Sequence, residues 1–209
     1  MVQLLFLIGL HQWNDAFPGD ALVIRRGPHN YGRGSLGYYK NGEQGRHILQ
    51  QGLGNEDFQI LWSMAHELGH VFGLLHEHSR PDRDNYVQFN CINLAGFEEA
   101  LKRAYADGYN KQDLCTREDV ADRYGFPSLE YMPDPQGWRS AEYDHDSIMH
   151  YPSQAHANVD LVIDPNNPDF YPLVRLSGAE RKKKMNFPPE EDFEISAGDV
   201  GAIRDMYPW

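Results

Sequence analysis

The stretch from residue 66 to 84, HELGHVFGLLHEHSRPDRD, constrains this chain more than any other. Its first eleven residues fit H-E-x-x-H-x-x-G-x-x-H. Five fixed residues, three of them the uncommon His, coincide by chance in roughly one chain in 10⁵ of this size. His66 and His70 are four apart. On a helix that spacing stacks both side chains on one face, one turn above the other. Two imidazoles so placed can hold one zinc ion through nitrogens at about 2.0–2.1 Å. Glu67 stands beside the pair, where a carboxylate can take a proton from an attacking water. Gly73 ends the helix, because glycine tolerates the left-handed conformation that a sharp turn needs. The turn returns His76 as a third ligand. Three protein ligands leave one position open, which is the catalytic arrangement and not the closed structural one. An amphipathic helix with exposed His and Glu would account for H-E-x-x-H alone, but not for the Gly and the third His.

The rest of the composition narrows the setting. The chain has 209 residues, 41% hydrophobic and 24% charged, a globular mixture long enough to bury a core. Its net charge is −12, from 31 acidic and 19 basic residues, which argues against nucleic acid and anionic membranes as partners. The apolar run at 1–10 is too short to span a bilayer. Cys91 and Cys115 form no C-x-x-C pair, so they either bond to each other or are both free.

Hydrophobic periodicity gives a coarse map. Residues 3–15 read as a helix, and 21–26 (ALVIRR) and 47–51 (HILQQ) as strands. Residues 28–34 read as a Gly-rich loop. A short strand is expected at Ser35, Leu36, Gly37, Tyr38 and Tyr39. A helix runs from a cap at Asn55 to Gly73 and turns Ile60, Leu61, Met64, Ala65, Leu68 and Phe72 to a core. Helices are expected at 94–106 and 116–124, a loop at 126–143 and a strand at 159–163. The RKKK run at 181–184 reads as a surface loop. A serine-capped helix closes the chain at 196–207. Nothing marks a linker or a repeat, so residues 1–209 read as one domain.

A second motif, SIMHY at 147–151, changes weight beside the first. A methionine turn under three histidines marks the metzincin group of zinc proteases. HELGHVFGLLHEHSRPDRDNYV, with Glu77 directly after the third His, followed by SIMHYP and by ISAGDVGAIRDMY, resembles the astacin family of metalloendopeptidases. The segment GFEEALKRAYADGYNKQDLCTREDVADRYGF is similar to insertions in secreted fungal members.

The resemblance implies an α+β, two-lobed domain. An upper lobe, about 1–76, would hold a twisted mixed sheet and two helices above the cleft. A lower lobe, about 77–209, would be mostly irregular and end in a helix. His66, His70 and His76 would bind one zinc, with Tyr151 as a movable further ligand that swings to stabilise the oxyanion. Glu67 would be general base and acid, Met149 the apolar floor, and Glu77 the anchor of the mature amino terminus. The substrate would be an extended protein or peptide chain, paired with the edge strand at 35–39. The protein would be a secreted monomer, and secretion implies that Cys91 and Cys115 are joined. Four cysteines typical of the family are not at their places, so the usual cross-links are absent. The alternative is a catalytically impaired relative that binds peptides.

Overall fold

The computed structural model describes residues 21–28, 32–38, 47–52, 57–135, 142–177, 182–186 and 193–208. The helix expected at 3–15 and the cap at Asn55 lie outside them, as does Tyr39.

The upper part is a small mixed sheet with one described helix against it. Strand β1 (Leu22–Arg26) pairs in parallel with β3 (His47–Gln51), and β2 (Gly32–Gly34) pairs antiparallel on the other side of β3. Helix α1 (Asp57–Phe72) lies on β3 and β2. It ends where the glycine requires. Gly73 has φ 101°, its N–H donates to His70 O at 2.8 Å, and Leu74 N–H donates to Gly69 O at 3.0 Å. That pair of bonds is a Schellman cap. Of the residues expected to face a core, Leu61 instead is 53% exposed.

Two expectations fail at the sheet edge. Residues 28–34 are not all loop, because β2 occupies 32–34. Ser35, Leu36, Gly37 and Tyr38 do not form a strand. A Cβ on Gly34 would run into the Glu67 carbonyl oxygen, so only a glycine strand can lie this close to α1. Gly37, at φ 68°, then turns the chain out of the sheet and donates its N–H to His70 O at 2.8 Å.

The lower part carries more regular structure than its sequence suggests. Strands β4 (Val87–Phe89), β5 (Leu173–Leu176) and β6 (Lys182–Lys183) form an antiparallel sheet. Helices α2 (Phe97–Ala106), α3 (Lys111–Thr116) and α4 (Glu118–Tyr124) bury Phe97, Ala104, Leu114, Val120 and Phe126 in one cluster. Cys91 is bonded to Cys115, which ties α3 to the turn after β4. Residues 159–161 form a 3-10 turn and not the expected strand. Asn158 accepts from Asp160 N–H and winds the chain, leaving Val159 78% exposed. Helix α5 (Ala197–Met206) closes the chain, with Ser196 accepting from Asp199 N–H.

A second, smaller cluster joins the two parts. Leu74, Ile148, Met149 and Ala202 are buried together, with Trp62, Ala65 and Met206 around them. It brings α1, the turn at 147–150 and α5 to one point, and the histidines stand beside it.

Candidate metal centre

The geometry of the histidines follows from backbone carbonyls. His66 Nδ1 lies 2.8 Å from Ile148 O, and His70 Nδ1 lies 2.9 Å from Leu74 O. A carbonyl only accepts, so each neutral ring carries its proton on Nδ1 and leaves Nε2 bare. Both bare atoms face His76 Nε2, at 3.2 Å from His66 and 3.1 Å from His70. Two nitrogens each about 2.0–2.1 Å from one tetrahedral ion stand about 3.3–3.4 Å apart. The donor set therefore fits zinc. It is the one such cluster among the described residues. Burial pushes His66 down to about 3, aided by His70 and opposed by its bond to Ile148. Burial also lowers His70 and, with the neighbouring histidines, His76. All three are thus held neutral, the state that ligates metal.

Glu67 shares α1 with two of these rings, and burial pushes its carboxyl up to about 7, against a bond from Gly34 N–H. Tyr151 comes from the other side. Its ring is 4.6 Å from the His76 ring and 4.2 Å from His78. Burial, with Glu130 and Glu67 nearby, raises its phenol, so the hydroxyl keeps its proton at neutral pH.

Met149 is 1% exposed and lies under α1, where a Cβ on Gly69 would collide with its sulfur. The turn is pinned at several atoms. Met149 O accepts from Glu77 N–H at 3.0 Å. Asp199 accepts from Ser147 Oγ at 2.7 Å and from Ile148 N–H at 2.8 Å. The Glu77 carboxylate accepts from Arg80 Nη1 at 3.0 Å and from Asp144 N–H at 2.8 Å. The amino terminus that the resemblance gives it as partner lies outside the described residues.

Two hollows flank the histidines. One of about 630 Å³ is lined by Gly34, Leu36, His70, His76 and Pro133. The other, of about 650 Å³, is lined by Trp62, Ile148, His150 and Tyr151. Leu36 lines the first within the irregular chain at 35–38, so among the described residues the edge strand at this place is 32–34.

Three contributors were not singled out from sequence. A glycine inside a helix costs about 1 kcal/mol, and that cost at Gly69 was the available signal of a close approach. Asp199 was visible only within a terminal pattern. His78 had no signal beyond its place in the motif.

A helix with two histidines, a glycine turn returning a third and a methionine turn beneath have the layout of a metzincin-type metal centre. The model of the astacin peptidase family matches residues 42–132. The chain is 37% identical over 91 residues, 44% of its length, to nematocyst expressed protein 6 of Nematostella vectensis. It is 30% identical over 145 residues, 69% of its length, to zinc metalloproteinase nas-30 of Caenorhabditis elegans. It spans only 23% and 15% of these two curated relatives. High choriolytic enzyme 1, a hatching enzyme zinc-protease from the medaka Oryzias latipes, shares the fold. The TM-score is 0.54 at 20% identity, over 95% of this chain and 72% of that one. The chain belongs to the astacin family. The relatives named here are animal proteins, and the expected likeness to secreted fungal members is not borne out. Among the described residues no helix is long and apolar enough to cross a membrane.

Proposed function

We propose that this chain is a zinc-dependent endopeptidase that hydrolyses peptide bonds of protein or peptide substrates. The observation that carries the reading is the convergence of three imidazole Nε2 atoms beside a buried carboxyl group. One zinc would be held by His66, His70 and His76, with Tyr151 as a movable further ligand. Bound zinc lowers the pKa of water and polarises a carbonyl. Glu67 takes the proton of the attacking water and hands it to the leaving amine. A carboxyl near 7 suits both transfers, since efficiency is greatest near the operating pH. The protonated Tyr151 phenol donates to the oxyanion as charge develops. Met149 fills the floor, and Glu77 serves as an anchor at the base of the site.

The substrate lies extended between the two hollows and pairs with β2, whose outer side has no partner strand among the described residues. The unit is one domain, working as a secreted monomer; the Cys91–Cys115 bond suits an oxidising compartment.

The test is cleavage of casein by purified protein of measured zinc content. One zinc per chain, loss of cleavage with chelator and its return with zinc are expected. Glu67→Gln should keep the zinc and lose roughly 10²–10⁴-fold in rate, the usual contribution of a positioned acid–base group. Full zinc without cleavage would leave the peptide-binding alternative. A Glu67→Gln rate within about tenfold of wild type would assign the base elsewhere.

A further inference from the structure

His78 follows the third histidine by two residues, and none of its surface is exposed, 0%. Its ring stacks against two rings of the site. It is 4.9 Å from His76 at an interplanar angle of 22°, and 4.2 Å from Tyr151 at 29°. His78 Nε2 lies 3.0 Å from Glu130 O, which only accepts, so Nε2 carries the proton. Nδ1 is then an acceptor, and it takes the backbone N–H of Tyr151 at 3.2 Å. The imidazole thus holds Tyr151 by its backbone and by its ring face.

Volume alone does not explain this residue. A leucine or phenylalanine would fill the space without two buried nitrogens to satisfy, each costly if left unpaired. Both nitrogens are satisfied, and one of the two partners is the residue that would donate to the oxyanion. We propose that His78 is a positioning residue, which holds Tyr151 in fixed register with His76 so that the phenol meets the developing charge. The proposal rests on the reading of Tyr151 as that donor. A donor displaced by about 1 Å can cost up to 10²-fold in rate, so the register matters.

The experiment is a double-mutant cycle on zinc-loaded protein. His78→Phe keeps a ring and removes the acceptor. His78→Asn keeps an acceptor near the place of Nδ1 and removes the ring. Each is made in the wild-type and Tyr151→Phe backgrounds. In wild type, His78→Phe should lower kcat roughly tenfold with KM within about twofold and zinc retained, a loss confined to the transition state. In the Tyr151→Phe background it should cost nothing further. Amide exchange at Tyr151 should speed up in His78→Phe and stay near wild type in His78→Asn, which should lose less kcat. Should His78→Phe fail to fold, the cycle is read on His78→Asn, whose loss must likewise vanish without the Tyr151 hydroxyl. An equal loss in both backgrounds, or an unchanged kcat, overturns the role of His78. An unchanged kcat in Tyr151→Phe itself, with full zinc, overturns the oxyanion reading instead.

Discussion

Gly69→Ala isolates the contact between the histidine helix and the methionine floor. A Cβ on Gly69 would stand far inside the radius of Met149 Sδ, with Met149 Cε at 3.4 Å and Leu74 Cδ1 at 3.7 Å. Carbon contacts are comfortable at about 3.5–4.0 Å, so the sulfur must retreat by about an ångström or more. Met149 is 1% exposed and enclosed by Leu74, Ile148 and Ala202, so it has little room. Two effects oppose each other in global stability. Alanine gains about 1 kcal/mol of helix propensity over glycine. Overpacking costs about 1–3 kcal/mol. The net loss is then about 0–2 kcal/mol, a fall of a few degrees in Tm for a chain of this size. Metal affinity should fall much further. Displacing the turn shifts Ile148 O, which fixes the His66 tautomer, and losing such a partner typically costs 10–100-fold. The measurements are zinc Kd by chelator competition and calorimetry of the metal-free protein. A wild-type zinc Kd in Gly69→Ala would show that the floor does not set the ligand geometry. A loss of Tm above about 10 °C would show that the overpacking estimate is wrong.

Acid should release the metal later than ordinary histidines would allow. His66 is lowered to about 3 and the other two are lowered as well, so the folded rings stay neutral as pH drops below the ordinary 6.5. Zinc should be full at pH 7 and lost only well below 6.5 on stepwise dialysis; half loss above 6.5 would contradict the burial argument. Asp199→Ala leaves the Ser147 hydroxyl proton and Ile148 N–H without acceptors, and should cost roughly 2–5 kcal/mol by denaturant titration. A change under about 0.5 kcal/mol would mean that water replaces the carboxylate. Cys91→Ser opens a link spanning 24 residues and should cost about 3 kcal/mol in the chain-entropy estimate. Reduction of the wild type should lower Tm by the same amount, and a mismatch would point to the serine itself.

What sequence made legible was local. The i, i+4 histidines, the glycine stop and the serine cap at 196 each act over a few residues, and each leaves a fixed spacing. The second sheet left almost none. Its strands have 3, 4 and 2 residues, too short for alternation, and β4 meets β5 across a long separation in the chain. The third strand is Lys182–Lys183, and lysine on an edge strand reads like a solvated charge run. Helix α3 was not expected from the sequence: its one signal is the reciprocal capping box of Asn110 and Asp113, and six residues are too few for helical periodicity to show. The run VDLVI at 159–163 has strand composition, yet Asn158 and the following Pro165 hold it in turns. Gly34 looked like a loop residue and Gly37 like part of a strand. One of them instead permits the closest approach of sheet and helix, which only the third dimension reveals.

The candidate site depends on groups that carry no side-chain signature. His66 and His70 are oriented by main-chain carbonyls of residues 148 and 74, positions where any residue supplies the same oxygen. What must be specific is where those carbonyls stand. Ile148 is held by Asp199 from α5, and Asp199 N–H is in turn held by Ser196. The Tyr207 hydroxyl donates to Phe72 O at 3.1 Å, which steadies the last turn of α1 before the Gly73 stop. The closing run ISAGDVGAIRDMY, through Ser196, Asp199 and Tyr207, is thus more than the signature of a helix end. Its Ser and Asp set the turn that orients the first histidine, and its Tyr holds the helix that carries the first two. A chain cut before 196 would keep all three histidines and lose the carboxylate that holds Ile148, and with it the fixed carbonyl that orients His66.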